Sequence, residues 1–213
     1  MADFDLPFEF FLPILVGVSI YGLYFIGAFT SIKFQPSSIN PMVFVYKTYK
    51  GPFSEVGTPF STTIEFMKKH GFETSKTPSA GMYYDDPKTT DIPRYAVGFV
   101  FGQTNDAAKK KWEKFQQENE DEAKEWSVLE LKQTPTIVSI FPMRWTAISC
   151  ALSAMKTYPA FEAAGYQLKS GSMEIYRSDN KTVETHFPQG NYEQFCAQES
   201  DVFTPTSDKQ KVQ

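Results

Sequence analysis

The chain has 213 residues and a nearly balanced charge, 21 basic side chains against 25 acidic ones. Without a basic excess it presents no field for a polyanion, so nucleic acid is excluded as a direct partner. Two cysteines that form no CxxC pair and two isolated histidines, His70 and His186, give neither a disulfide framework nor a ligand set, so no metal and no cofactor are expected.

Residues 1–9 carry only the acidic charges Asp3, Asp5 and Glu9. From Phe10 to Phe29 there is no charged side chain at all. At about 1.5 Å per residue this stretch reaches roughly 30 Å, the thickness of a bilayer's hydrocarbon core, and it predicts a transmembrane helix over 10–29. The first basic residues, Lys33, Lys47 and Lys50, come after the span, which puts the short N-terminus in the lumen and the rest of the chain in the cytosol. Residues 30–41, with Pro36, Ser37, Ser38 and Pro41, read as a polar spacer.

Met42–Tyr49 is rich in β-branched and aromatic residues and predicts a strand, broken by Lys50-Gly51-Pro52. A helix comes next, with Thr58 as its N-cap, Pro59 at its first position and Gly71 at its end. Ala80–Asp85 and Arg94–Phe101 are further strands, separated by the turn Asp85-Asp86-Pro87. Residues 105–125 are densely charged, and Trp112 and Phe115 lie three apart, which predicts a charged helical insertion anchored by the two aromatics. Trp126–Leu131 and Thr136–Phe141 read as strands split by Pro135, and Arg144–Tyr158 as an amphipathic helix with Trp145, Ile148, Leu152 and Met155 at 3–4–3 spacing. Met173–Arg177 and Val183–Phe187 are strands joined by Ser178-Asp179-Asn180-Lys181, and from Gln189 the chain turns polar and reads as a fraying tail. Strand–helix–strand–strand therefore occurs twice, which predicts two similar halves around a cleft.

On strands of period two, Met173 and Ile175 take one face, and Glu174 and Tyr176 the other. In the matching strand Tyr83 and Asp85 share a face opposite Met82 and Tyr84. If the halves meet, a carboxylate and several phenols converge in a groove suited to cations and aromatic small molecules. Cys150 falls on an apolar helix face and reads as core.

Four strings, GMYYDDP (Gly81–Pro87), RYAVGF (Arg94–Phe99), FPMRWTAISCALSAM (Phe141–Met155) and MEIYRSDN (Met173–Asn180), resemble the GyrI-like family of AraC-type effector-binding domains. With the N-terminal span, the chain is similar to the membrane-anchored testis-expressed protein 264 group of that family. The resemblance implies an α+β fold, an N-terminal transmembrane helix followed by a GyrI-like domain of two βαββ modules over 42–190, with 191–213 a disordered polar tail. It implies a single-pass endoplasmic-reticulum protein with a cytosolic domain, a non-enzymatic adaptor or receptor in ER-phagy or quality control, with the bilayer, Atg8-family proteins and p97 as partners. It also implies an alternative, a membrane-tethered small-molecule sensor whose ligand cleft centres on Glu174, with Tyr176, Tyr83, Tyr84 and Trp145 as further ligand-binding residues. Some relatives hydrolyse electrophilic small molecules, a minor alternative for which no catalytic residue is assigned. Lys209 and Lys211 resemble a dilysine retrieval signal for reticulum membrane proteins. One departure stands against the receptor role: after residue 189 there is no Atg8-interaction pattern, and the best match elsewhere, Trp126-Ser-Val-Leu129, falls on a strand.

Overall fold

The computed structural model describes residues 8–86, 88–102, 106–144, 146–198 and 201–206. Helix α1 (Phe8–Phe25) leads into strands β1 (Phe34–Ile39) and β2 (Met42–Lys50), helix α2 (Gly57–Lys69), and strands β3 (Ser79–Tyr83) and β4 (Arg94–Gly102). Helices α3 (Asp106–Glu118) and α4 (Glu120–Ala123) precede β5 (Ser127–Leu131) and β6 (Thr134–Pro142). Helix α5 (Thr146–Ala163), strands β7 (Ser172–Arg177) and β8 (Thr182–Pro188) and a short β9 (Thr204–Pro205) complete the described chain.

The strands form one sheet in the order β1-β6-β8-β7-β3-β4-β2-β5, with β9 beside β2. Two βαββ modules, β2-α2-β3-β4 and β6-α5-β7-β8, are thus set side by side about the antiparallel β3–β7 seam. They do not face each other as separate halves, because continuous pairing across the seam satisfies the ladder groups that two separate sheet edges would leave open. Each module borrows its outer strand from the chain that precedes the other: β1 pairs with β6 and β5 with β2. β4 is buried along seven consecutive residues, as expected of a strand covered on both faces. One face carries α2, α3 and α5. The other holds a core of Phe44, Tyr46, Met82, Met173 and Ile175 closed by Phe195 from the C-terminal segment.

Several sequence expectations are corrected. The predicted span is helical only to Phe25, and residues 26–29 turn into the domain. Gly27 adopts φ +89°, where a Cβ would meet the ring of Phe141 at 2.9 Å, so glycine is required at this turn. Lys156 donates to the carbonyls of Ala28 and Thr30, at 2.6 Å each, and Ser149 to that of Ile26 at 3.5 Å, so the exit from α1 is held by α5. Among the described residues no helix is long and apolar enough to cross a membrane. The expected spacer contains β1, whose backbone pairs with β6 despite Pro36, Ser37 and Ser38 because an edge strand tolerates proline and polar side chains. Pro135 lies inside β6; the break falls at Lys132-Gln133. Helix α2 is capped by Val56, which continues the preceding turn Phe53–Glu55 in helical conformation, so Thr58 is already inside the helix. The insertion breaks at Asn119 into α3 and α4.

The described part of the tail is docked on the domain. Phe195 is fully buried, Gln194 accepts from the Lys132 amide at 2.7 Å, Tyr46 donates to Asp201, and the Thr48 hydroxyl donates to the Val202 carbonyl. Helix α5 turns a small polar face to the sheet, Ser149, Ser153 and Thr157, all inaccessible, whereas Ile148 and Met155 of the predicted apolar stripe are exposed.

Candidate functional site

A cavity of about 1400 Å³ opens on the helical side of the β3–β7 seam, between the N-terminal half of α2 and α5. Both helices give it small or slender side chains: Gly57, Thr58 and Ser61 from α2, and Ala147, Cys150, Ala151 and Ala154 from α5. These small side chains sit over the seam, while the larger ones the helices bring, Phe60, Tyr158 and Phe161, stand at the sides, so the space above the seam stays open. The aromatic walls are Phe53, Phe60, Phe161 and Phe187.

The floor is built by strand alternation. Glu174 on β7 lies opposite Gly81 on β3, and Tyr83 lies opposite Ser172. A Cβ on Gly81 would come within 3.1 Å of both the Phe60 ring and the Tyr83 hydroxyl, so the missing side chain leaves room for the cluster around Glu174. Glu174 is 2 % exposed. Tyr176 donates a short hydrogen bond to Glu174 Oε2, and the Tyr83 hydroxyl lies 3.3 Å from that of Tyr176. Tyr158, from α5, reaches down to the Ser172 hydroxyl at 2.8 Å. The second carboxylate oxygen, Oε1, is buried without a hydrogen-bond partner. Burial raises the Glu174 carboxyl above the usual range, and the hydroxyls of Tyr176, Tyr158 and Tyr83 pull it back in part. The three phenols are in turn raised well above the ordinary tyrosine range, first by burial and then by the Glu174 charge. Cys150 borders the cavity, but burial and Glu174 push its thiol up to about 12, which keeps it protonated and unreactive.

The charges around the cavity are mostly acidic. Glu55, Glu65, Asp85, Asp86 and Glu162 line it beside Lys88, the one basic residue among its described lining. Lys88 is held by Glu162 at 2.6 Å, and Asp85 by Arg94 at 2.8 Å, which keeps the Asp85 carboxyl below its usual range.

Of the residues singled out in the sequence, the structure brings together Glu174, Tyr176 and Tyr83. Tyr84 lies on the other side of the sheet, against Phe203 and near Asp201 and Tyr46, so it does not reach the cavity. Trp145, Lys209 and Lys211 lie outside the described residues. Trp126, the aromatic residue of the Atg8-type pattern, is buried against Phe66 and Phe99, and the residues after it pair in β5. The sequence reading missed Tyr158 and Phe60. Tyr158 comes after Cys150 and Ala154 at intervals of four, the spacing of one helix face, and that was the available signal.

No protein-family model matches the chain, and no curated protein matches it at a significant level. Solved structures of similar architecture do exist. A bacterial transcription-regulation protein of Staphylococcus aureus MU50 is 9 % identical, at a TM-score of 0.45, over 74 % of this chain and 98 % of its own. The protein SAV2435, solved bound to tetraphenylphosphonium, is 10 % identical, at a TM-score of 0.49, over 76 % and 96 %. A hydrolase of Listeria innocua is 14 % identical, at a TM-score of 0.37, over 76 % and 95 %.

Proposed function

We propose that the chamber is a binding site for small, largely apolar molecules that carry a positive charge. The observation that carries this reading is Glu174, a buried carboxylate with one oxygen unpartnered, ringed by Tyr83, Tyr158 and Tyr176 at the bottom of an aromatic pocket. A buried carboxylate without a cation is costly, and a ligand cation supplies the missing partner while the rings stack on its apolar body. The acidic lining favours the same sign of ligand.

The membrane side of the reading attaches to α1. From Phe11 to Phe25 its side chains are exposed on every side of the helix and none is charged, a pattern that lipid satisfies and water does not. We take α1 as embedded in lipid, holding the domain at the surface. Placement at the endoplasmic reticulum with a cytosolic domain rests on the resemblance and on the basic flank Lys33, Lys47 and Lys50. An adaptor role with Atg8-family proteins or p97 gains no docking feature from the described residues, since the Trp126 motif is folded into the domain.

The test is titration of the intact chain with tetraphenylphosphonium, used as a lipophilic cation. Wild type should bind, and Glu174→Gln should lose at least tenfold in affinity, roughly 1.4 kcal/mol. Unchanged affinity in Glu174→Gln overturns the reading. Turnover of an electrophilic ester that Glu174→Gln abolishes would instead mark the raised carboxyl as a general acid and support a hydrolase.

A further inference from the structure

Helix α5 has a side that neither the chamber nor the sheet uses. At about 100° per residue its circumference divides into four sectors. Ser149, Ser153 and Thr157 face the sheet. Next come Cys150, Ala154 and Ala147, on the chamber. Ala151 stands at the chamber's edge, beyond it lie Met155 and Ile148, and then Leu152 and Lys156, which meet the segment leaving α1. The third sector is exposed: Met155 is 72 % accessible and Ile148 40 %. It lies between the chamber mouth and the end of α1. Arg144, just before α5, places its guanidinium 5.7 Å from the Tyr24 ring of α1, which ties the same end of α5 to the apolar helix. One apolar cluster continues the connection inward, with Ile32 of the exit segment, Phe141, Met143, Phe60, Cys150 and Tyr176 in contact. Exposed apolar side chains therefore lie on α1 and on the outer side of α5, and a buried apolar cluster joins the exit of α1 to the edge of the chamber, whose rim beyond them carries the Lys88–Glu162 ion pair.

We infer that the Ile148–Met155 side of α5 rests on the same lipid surface in which α1 is embedded, so that the chamber opens at the membrane and takes its ligand from the lipid phase. This rests on the reading of α1 and of the chamber proposed above. The occupant is lipid rather than a protein partner because the strip lies on the helix that holds the end of α1, and α1 from Phe11 to Phe25 is exposed all round and uncharged, with no polar side to leave outside a protein interface. The short tether enforces the contact: only Ile26–Lys33 separate α1 from β1, and the carbonyls of Ile26, Ala28 and Thr30 are all held by α5. Molecules that are apolar with one positive charge concentrate in bilayers, so the site's preference and its location agree.

The experiment uses the full chain in phosphatidylcholine nanodiscs, with an environment-sensitive fluorophore on single cysteines in a Cys150→Ser, Cys196→Ser background. The labels are Val18→Cys in α1, Met155→Cys on α5 and Val128→Cys on the far edge strand β5. Labels at 18 and 155 should be shielded from an aqueous quencher and quenched by spin-labelled lipid, and the label at 128 should show the reverse. A shielded 18 with 155 as wet as 128 overturns this inference and leaves the anchor standing; a wet 18 overturns the anchor itself. For loading, Met155→Glu should slow uptake of tetraphenylphosphonium presented in vesicles at least tenfold while leaving its equilibrium affinity unchanged in detergent. Equal uptake rates would refute entry through lipid.

Discussion

The two modules share one topology and differ in what lies above their strands. Over the first, the C-terminal half of α2 packs Phe66 and Met67 into an aromatic core with Phe99, Trp112, Phe115 and Trp126, and the charged insertion α3–α4 closes it. Over the second, α5 sets alanines and a cysteine above the seam and keeps its rings, Tyr158 and Phe161, to the side, and the space down to the β3–β7 seam stays open. The difference originates in the segment that leaves each module. After β4 the chain continues on the helical side and supplies Trp112, Phe115 and Trp126; after β8 it passes to the opposite face, where Phe195 seals the other core. A pseudo-repeat can thus hold its stability in one half and leave the other free to bind.

The largest effect should come from breaking the filled half. Trp126→Ala or Phe66→Ala removes a ring from that core and should cost about 3–5 kcal/mol in denaturant unfolding, with the loss visible in the midpoint rather than the slope. A matched pair then sharpens the contrast. Ala108→Phe forces a ring into the aromatic core and should cost about 1–3 kcal/mol, whereas Ala154→Phe, which fills the cavity, should change stability by less than about 1 kcal/mol and abolish tetraphenylphosphonium binding.

The chamber's own cost shows in its pH dependence. The folded-state pKa of Glu174 is raised above its unfolded value, so between the two the native state binds more protons than the unfolded chain, and stability falls as pH rises through that window. Unliganded Glu174→Gln should therefore be more stable than wild type at neutral pH, by on the order of 1–2 kcal/mol, and the gain should vanish once the pH drops below the ordinary carboxylate range. Thermal unfolding across pH checks this; a variant less stable than wild type at pH 7 would show that the carboxylate is structural. Cation binding should weaken over the same window as pH falls.

The smallest effect is expected at the rim. Asp85→Asn removes the ion pair with the half-exposed Arg94 and should cost about 0.5 kcal/mol, contributed above the unfolded Asp pKa and lost as pH falls through the lowered folded value. High salt should erase most of that difference.

Both modules were legible in the sequence because alternation on a strand is strict. The alternation that brought Tyr83 and Tyr176 to the carboxylate side also excluded Tyr84, since neighbouring residues on one strand cannot share a face. Helix α5 was legible as a helix but not in its orientation. Ile148 and Met155 of its apolar stripe face outward, and the sheet is met by Ser149, Ser153 and Thr157, with Thr157 bonded to Ser139 at 3.2 Å. A pattern rule places serines outside and cannot register that a close helix–sheet approach favours small side chains over apolar ones. β1 and the docked tail were illegible for a related reason. Their pairing is dictated by edges that β6 and β2 present from elsewhere in the chain, and nothing in FQPSSI or in residues 192–206 announces a partner.

The exchange of outer strands sets an order of events during synthesis. β1 leaves the ribosome before either module is complete, yet its partner β6 emerges about 100 residues later, a wait of roughly 5–20 s at ordinary translation rates. For that interval the strand next to α1 has no mate, and the first module must form without its own outer strand, because β5 emerges only after the charged insertion. Closure of the sheet is thus a late step, taken once β6, β7 and the β8 that lies between them have been made.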